Sequence, residues 1–244
     1  MEAKLGKWVV SHRLIRNSSS DMGKNSRNET NKSGRKTEKT MCGRYYVDDE
    51  TAGEIKRLVE RLDERLRRKP DQSSSHGSAA GIAAVFPSQN GIVIMGRDRH
   101  LDMGRMIWGF PRFDGKGLLI NARAETAVER RSFRECVLHR RCVVPAKGFW
   151  EWNKSKEKFS FERPDSRIMF MAGCYDCFEG QDRFVILTTE ANASVRPVHD
   201  RMPLILEQSE IEDWVMDNGV TEHFLRKTPI LLEKGAEYEQ MSLF

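Results

Sequence analysis

The sequence predicts an α+β domain built mostly from antiparallel β-strands, barrel-like, with a few flanking helices. Two observations lead there. From Ile82 onward the apolar pattern breaks into short, strand-like runs, with only two convincing helical stretches between them. That order lacks the regular strand–helix alternation of a parallel α/β sheet. At 244 residues the chain has ample length for a single large core.

Residues 1–40 carry ten Lys/Arg against four Asp/Glu, and residues 41–244 carry 31 against 32. The basic balance therefore belongs to the leading segment, and the remainder has a net charge of −1. Ser18 through Thr40 is rich in Ser, Asn, Lys and Arg and is expected to be a disordered basic tail, since it has too little apolar surface to offset its ordering entropy. The expected organisation is a 1–40 tail and a 41–244 domain. With no global positive field, any binding of nucleic acid must use a local patch.

The domain begins with the strand-forming run Met41-Cys42-Gly43-Arg44-Tyr45-Tyr46-Val47. Thr51 and Glu54 form a capping-box pattern, followed by Ile55, Leu58, Val59, Leu62 and Leu66 at helical spacing. That helix is expected to stop before Pro70, with a loop over 71–81. Strands are expected at 91–95, 106–110, 141–144, 149–152, 158–162, 168–175, 184–189 and 204–206. One helix is expected over 125–138 and another after a Ser209/Glu212 capping box, through Trp214 and Val215.

No apolar run approaches the ~20 residues of a membrane span, and Met1–Val10 offers no signal-peptide core. Five unevenly spaced cysteines argue for a reducing compartment, and a cytoplasmic location is expected. There is no GxGxxG and no Walker A, so no nucleotide cofactor is expected. Cys174-x-x-Cys177 has no second CxxC and no His pair, and reads as structural, with Cys136 and Cys142 filling the core; no metal is expected.

Four segments could carry chemistry. A cysteine at a mature N-terminus would hold an amine and a thiol side by side, able to condense with an aldehyde to an imine and then to a thiazolidine. Cys42 equally fits a small buried residue of a first strand. Asn121 in Asn121-Ala122-Arg123-Ala124-Glu125-Thr126 could orient a substrate or cap the helix it precedes. Glu151 in Phe149-Trp150-Glu151-Trp152 is either a carboxylate held among aromatics for proton transfer or an outward residue of an alternating strand. His199, in His199-Asp200-Arg201-Met202-Pro203, could shuttle protons or sit at the surface.

In order, Cys42-Gly43-Arg44-Tyr45, Trp108-Gly109, Asn121–Thr126, Arg141-Cys142 through Trp152 and His199–Pro203 resemble the SRAP family, the SOS-response-associated peptidase or abasic-site processing proteins. The resemblance spans residues 41 to about 215. It implies a protein that shields abasic sites in single-stranded DNA through a covalent crosslink. Cys42 would be the nucleophile, Asn121 the residue holding the reacting sugar, Glu151 the proton-transfer acid and base, and His199 the aid to imine formation and reversal. Arg44, Arg123 and Arg201 would contact phosphates, with Pro87 and Trp108 lining the DNA cleft.

The same resemblance implies lyase and self-processing peptidase activities, and a monomer acting at the nucleoid. Because Cys42 needs a free amine, translation is expected to begin at Met41, which is then removed, or the tail to be cleaved. Two other readings are an autopeptidase acting on its own leader and a non-covalent module for single-stranded DNA.

Overall fold

The computed structural model describes residues 43–66, 83–165 and 167–237. The tail, Met41, Cys42 and the 71–81 loop lie outside the described residues. In chain order the elements are β1 (Tyr45–Val47), α1 (Asp49–Leu66), β2 (Ala83–Val85), β3 (Asn90–Arg97), β4 (His100–Trp108), β5 (Phe110–Pro111), β6 (Leu118–Leu119) and β7 (Asn121–Arg123). There follow α2 (Ala124–Ala127), α3 (Arg134–His139), β8 (Arg141–Ala146), β9 (Gly148–Trp152), β10 (Lys158–Glu162), β11 (Met169–Phe178) and β12 (Gln181–Glu190). The chain then forms β13 (Arg201–Pro203), β14 (Ile205–Leu206), α4 (Ile211–Met216), α5 (Thr221–Leu225) and β15 (Glu233–Glu237).

Five strands close on themselves. β3 pairs with β4, β4 with β12, β12 with β11, β11 with β8, and β8 returns to β3. All of these pairings are antiparallel except β4–β12. Closure removes the open edges a flat sheet of this size would expose. The second sheet runs β15-β10-β9-β1-β2. Period-two alternation divides the barrel side chains between two cores. Val93, Met95, Val144, Phe184 and Ile186 face the side shared with Tyr45 and Phe149 of the second sheet. Ile94, Val143, Val185 and Leu187 face the other side, under Ile55 and Leu58 of α1, Val137 of α3 and Trp214 of α4. Strands buried on both faces read as continuous apolar runs, which is why they stood out in the sequence.

Several boundaries differ from the sequence expectation. The α1 cap is Asp48, whose Oδ1 accepts the Thr51 N–H at 2.7 Å, so Thr51 stands inside the first turn. The later capping box is likewise shifted, to Glu207 and Glu210. The strand expected over 106–110 is interrupted at Gly109, whose φ of +107° only glycine adopts without strain. The helix expected over 125–138 is two helices. One uninterrupted helix would place Phe133 about 240° around from Ala127 at 100° per residue. The turn between them, in which the Arg130 carbonyl accepts the N–H groups of both Phe133 and Arg134, brings Phe133 and Val137 into the core that holds Ala127.

Among the described residues no helix is long and apolar enough to cross a membrane. The Cys174-x-x-Cys177 spacing makes no pair. On β11 these two residues point to opposite faces, Cys174 buried and Cys177 exposed. The thiol facing Cys174 is that of Cys136, at 3.0 Å, with both held in the core. Burial pushes the Cys174 and Cys142 thiols well up, as expected of core-filling groups rather than reactive ones.

Candidate active site and nucleic-acid interface

The start of β1, the end of β9 and the start of β7 converge. β1 pairs with β9 through Tyr45↔Phe149 and Tyr46↔Gly148. The Trp150 N–H donates to the Arg44 carbonyl at 3.1 Å, extending that register so that Gly43 falls opposite Glu151. Gly148 permits the tight crossing here: a Cβ on it would come within 2.5 Å of the Phe161 carbonyl oxygen. Gly43 also lies beside Ile120, immediately before Asn121. Cys42, the expected nucleophile, is outside the described residues, but the residue after it stands between the strands that carry Glu151 and Asn121.

Glu151 is 4% exposed. It shares the inward face of β9 with Phe149, while Trp150 and Trp152 take the opposite face. The outward alternative for Glu151 is thus excluded. Its Oε2 lies 3.4 Å from the Trp152 N–H, which donates to it. Trp150 stacks on Tyr46 at 4.3 Å, and the Lys158 ammonium lies over the Trp150 ring at 4.2 Å.

Asn121 and Arg123 lie on the same side of β7, with Ala122 between them buried in the core. Parallel pairing to β12, Ile186↔Asn121 through Thr188↔Arg123, fixes their height. Arg123 is exposed. His199 is 7% exposed, in the loop between β12 and β13. Its Nδ1 has two neighbours, the Arg201 N–H at 3.1 Å and Asp200 Oδ1 at 3.0 Å. A neutral ring accepts from Arg201 and carries its proton on Nε2. A charged ring instead donates from Nδ1 to Asp200, so both states have a partner. His199 faces a groove of about 470 Å³ shared with the 153–155 turn that follows β9.

Two of the expected DNA contacts, Trp108 and Arg201, make their visible contacts inside the fold. Trp108 is fully buried, its Nε1–H donating to the Ile120 carbonyl at 2.9 Å and its ring packed near Tyr45 and Phe184. It packs as a core residue and fastens the chain just before Asn121. Arg201 is only 15% exposed at its side chain and grips the Glu125 carboxylate with two 2.7 Å hydrogen bonds. Its guanidinium is committed within the fold, so a phosphate would have to displace Glu125.

Arg44 is better placed. Its guanidinium lies over Phe86 at 4.5 Å and over Trp152 at 5.0 Å, with half-buried Pro87 next to Phe86. Phe86, Trp152 and Glu125 were not singled out by sequence reasoning, because each acts through a partner 40 or more residues away. Phe113 was also missed. It is fully exposed at the tip of the β5–β6 hairpin, which leads directly into Asn121. An aromatic residue in a Gly- and charge-rich turn was the available signal.

A closed, largely antiparallel barrel, with a buried glutamate opposite Gly43 and a buried histidine in the loop between β12 and β13, defines an α+β protein with titratable side chains held inside the fold. The family model for the SOS response associated peptidase (SRAP) matches residues 41–242, and the chain belongs to that family. It is 31% identical to the abasic site processing protein YedK of Escherichia coli over 72% of this chain and 79% of that one. It is 32% identical to the abasic site processing protein HMCES of Gallus gallus, over 72% of this chain and 65% of the relative. Among solved structures, a Bordetella bronchiseptica protein superposes with a TM-score of 0.63 at 23% identity, covering 81% of this chain and all of the other, a likeness of fold.

Proposed function

We propose that the protein processes abasic sites in single-stranded DNA by forming a covalent crosslink through Cys42 as the mature N-terminus. The observation that carries this reading is the placement of buried Glu151 opposite Gly43, the residue next to Cys42. The names of the relatives point to the same substrate. An abasic site exposes a ring-opened sugar aldehyde. The Cys42 α-amine adds to its carbon, and loss of water gives an imine; the thiol then adds to the same carbon and closes a thiazolidine. Glu151 takes the proton from the amine and returns one to the departing hydroxyl. Asn121 holds the sugar. His199 supplies a proton to the imine-forming step and assists reversal. Strand cleavage at the imine stage and removal of the leading segment before Cys42 are side activities of the same centre.

Exposed Arg123 and Arg44, backed by its two aromatic rings, serve the phosphates on either side of the lesion. Phe113 offers a ring on which a neighbouring base can stack. Contacts of this kind bind DNA without the bulk positive charge that residues 41–244 lack.

The test compares a chain begun at Met1 with one begun at Met41. Each has its intact mass measured, is incubated with single-stranded DNA holding one abasic site, and is run on a denaturing gel. A shifted band is expected only where the mass places Cys42 at the N-terminus, and Cys42→Ala should fold and give none. A tailed chain that shifts equally well, with its tail intact, would refute the amine–thiol chemistry.

A further inference from the structure

α1 presents Glu54, Arg57, Leu58 and Arg61 along one stripe at i, i+3, i+4 and i+7. Leu58 is buried, and the three charged residues rim a groove of about 440 Å³. Arg167, in the segment leading into β11, faces the same groove, as does Gln208. The guanidinium groups of Arg57, Arg61 and Arg167 form no ion pair with any described residue. The nearest carboxylate to Arg167 in the chain, Asp165, is held by Nε and Nη2 of Arg163 at 3.0 Å each, and Arg167 reaches it through its backbone N–H at 3.3 Å and through charge, without a side-chain ion pair. Like charges four residues apart on a helix repel one another, and a third cation from another element adds to that repulsion. Three arginines and one glutamate, Glu54, therefore line one concavity, an excess of positive charge within a region whose net charge is −1.

We propose that this groove binds phosphate. Guanidinium groups match phosphate oxygens with paired donors, and three of them meeting from two elements can surround one group or follow two in sequence. The groove is separate from the reaction centre: α1 leaves the far end of β1 from Gly43. The phosphate comes either from a nucleic-acid backbone or from a free phosphorylated small molecule, and both present the same oxygens. The inference does not depend on the reaction assigned to Cys42.

The test follows the arginine Nε–Hε resonances of the full chain by NMR, in wild type and in R57Q/R61Q/R167Q, while adding pyrophosphate in one arm and lesion-free single-stranded DNA in the other. The expected result is movement of three side-chain signals in wild type that the triple variant lacks. For single-stranded DNA, the slope of log affinity against log salt should also fall by about 0.7 for each arginine that holds a phosphate. Movement with pyrophosphate alone identifies a small-molecule source; movement with DNA identifies the backbone. Signals that respond to neither probe overturn the proposal. Crosslinking of a short abasic oligonucleotide should be equal in the two proteins, so failure of this site and failure of the Cys42 chemistry are read separately.

Discussion

The two terminal nitrogens of Arg201 each donate to a different oxygen of Glu125 at 2.7 Å, and Nη2 also donates to the Thr188 carbonyl at 2.6 Å. This ties the first turn of α2 to β13, so that the strand carrying Asn121 and Arg123 is held against the loop carrying His199. Burial alone would raise the Glu125 carboxyl, but the hydrogen bonds and charge of Arg201 outweigh it and hold the group below the usual glutamate range. A carboxyl depressed on folding stabilises the native state above its unfolded pKa, near 4.3, and loses that contribution as pH falls through the lower folded value. Glu125→Gln should therefore cost about 1 kcal/mol at pH 7, discounted for the 40% exposure of the carboxylate. The same variant should show a shallower fall in melting temperature between pH 5 and pH 3, both values being ~1 unit either side of the ordinary range. Parallel acid curves for variant and wild type would remove the pair from the stability account.

Glu151→Gln keeps the shape of the side chain and its contact with the Trp152 N–H while removing the ability to exchange a proton. Crosslinking to an abasic site should slow by about 10²-fold or more, the usual scale of a lost acid–base group. Affinity for lesion-free single-stranded DNA, measured by fluorescence anisotropy, should stay within about twofold, since the buried carboxylate is not expected to meet a phosphate. A variant that loses affinity and keeps its rate would assign Glu151 to binding.

Trp108→Ala distinguishes a core residue from a DNA contact. Removing a fully buried indole should destabilise the protein by about 3–5 kcal/mol. Trp108→Phe, which keeps most of the ring and loses the hydrogen bond to Ile120, should cost about 1–2 kcal/mol. In Trp108→Phe, affinity for single-stranded DNA is expected to be unchanged under conditions where the protein is folded. Weakened binding with unaltered denaturant stability would place Trp108 in the interface.

The fate of Trp108 shows which parts of the molecule were legible from its residues. Strands buried on both faces, such as Val143–Val144 and Phe184–Leu187, announce themselves because both neighbours demand apolar side chains. The strands expected over 141–144 and 149–152 fall within two residues of β8 and β9, those over 168–175 and 184–189 miss up to three residues at an end of β11 and β12, and 158–162 matches β10 end to end through its alternation and not through two-sided burial. The ordered motifs singled out Asn121, Glu151 and His199, of which the structure buries Glu151 and His199. What the sequence does not carry is side-chain direction relative to a distant partner. Trp108 in an exposed-looking Trp-Gly step turns inward because Gly109 breaks the strand and Ile120 offers a carbonyl. Arg201 resembles a phosphate contact until α2 brings Glu125 to it, 76 residues away in sequence. The short strands β2, β6, β7, β13 and β15 were missed for a related reason: two to five residues carry too little periodicity, and pairing with a neighbour decides them.

Arg141 provides the sharpest test of how the helices are fastened to the barrel. It is 2% exposed, a charged residue in an otherwise apolar strand. Its Nε donates to the Trp214 carbonyl at 2.5 Å, Nη1 to the carbonyls of Val137 at 3.2 Å and Leu138 at 2.5 Å, and Nη2 to Asn218 Oδ1 at 2.8 Å. Carbonyls in the last turn of a helix lack intrahelical donors and carry the negative end of its dipole. One guanidinium thus serves the ends of α3 and α4 together, while the Trp214 Nε1–H donates to the Cys142 carbonyl at 2.9 Å. Arg141→Met fills similar space but leaves those acceptors buried without donors, and should lower unfolding free energy by about 3 kcal/mol. Arg141→Lys should recover only a fraction, because an ammonium is a point donor and cannot span both helices. The measurement is the urea midpoint of each variant. A methionine variant as stable as wild type would show that water replaces the guanidinium, and that the helices are held by Trp214 and its apolar neighbours alone.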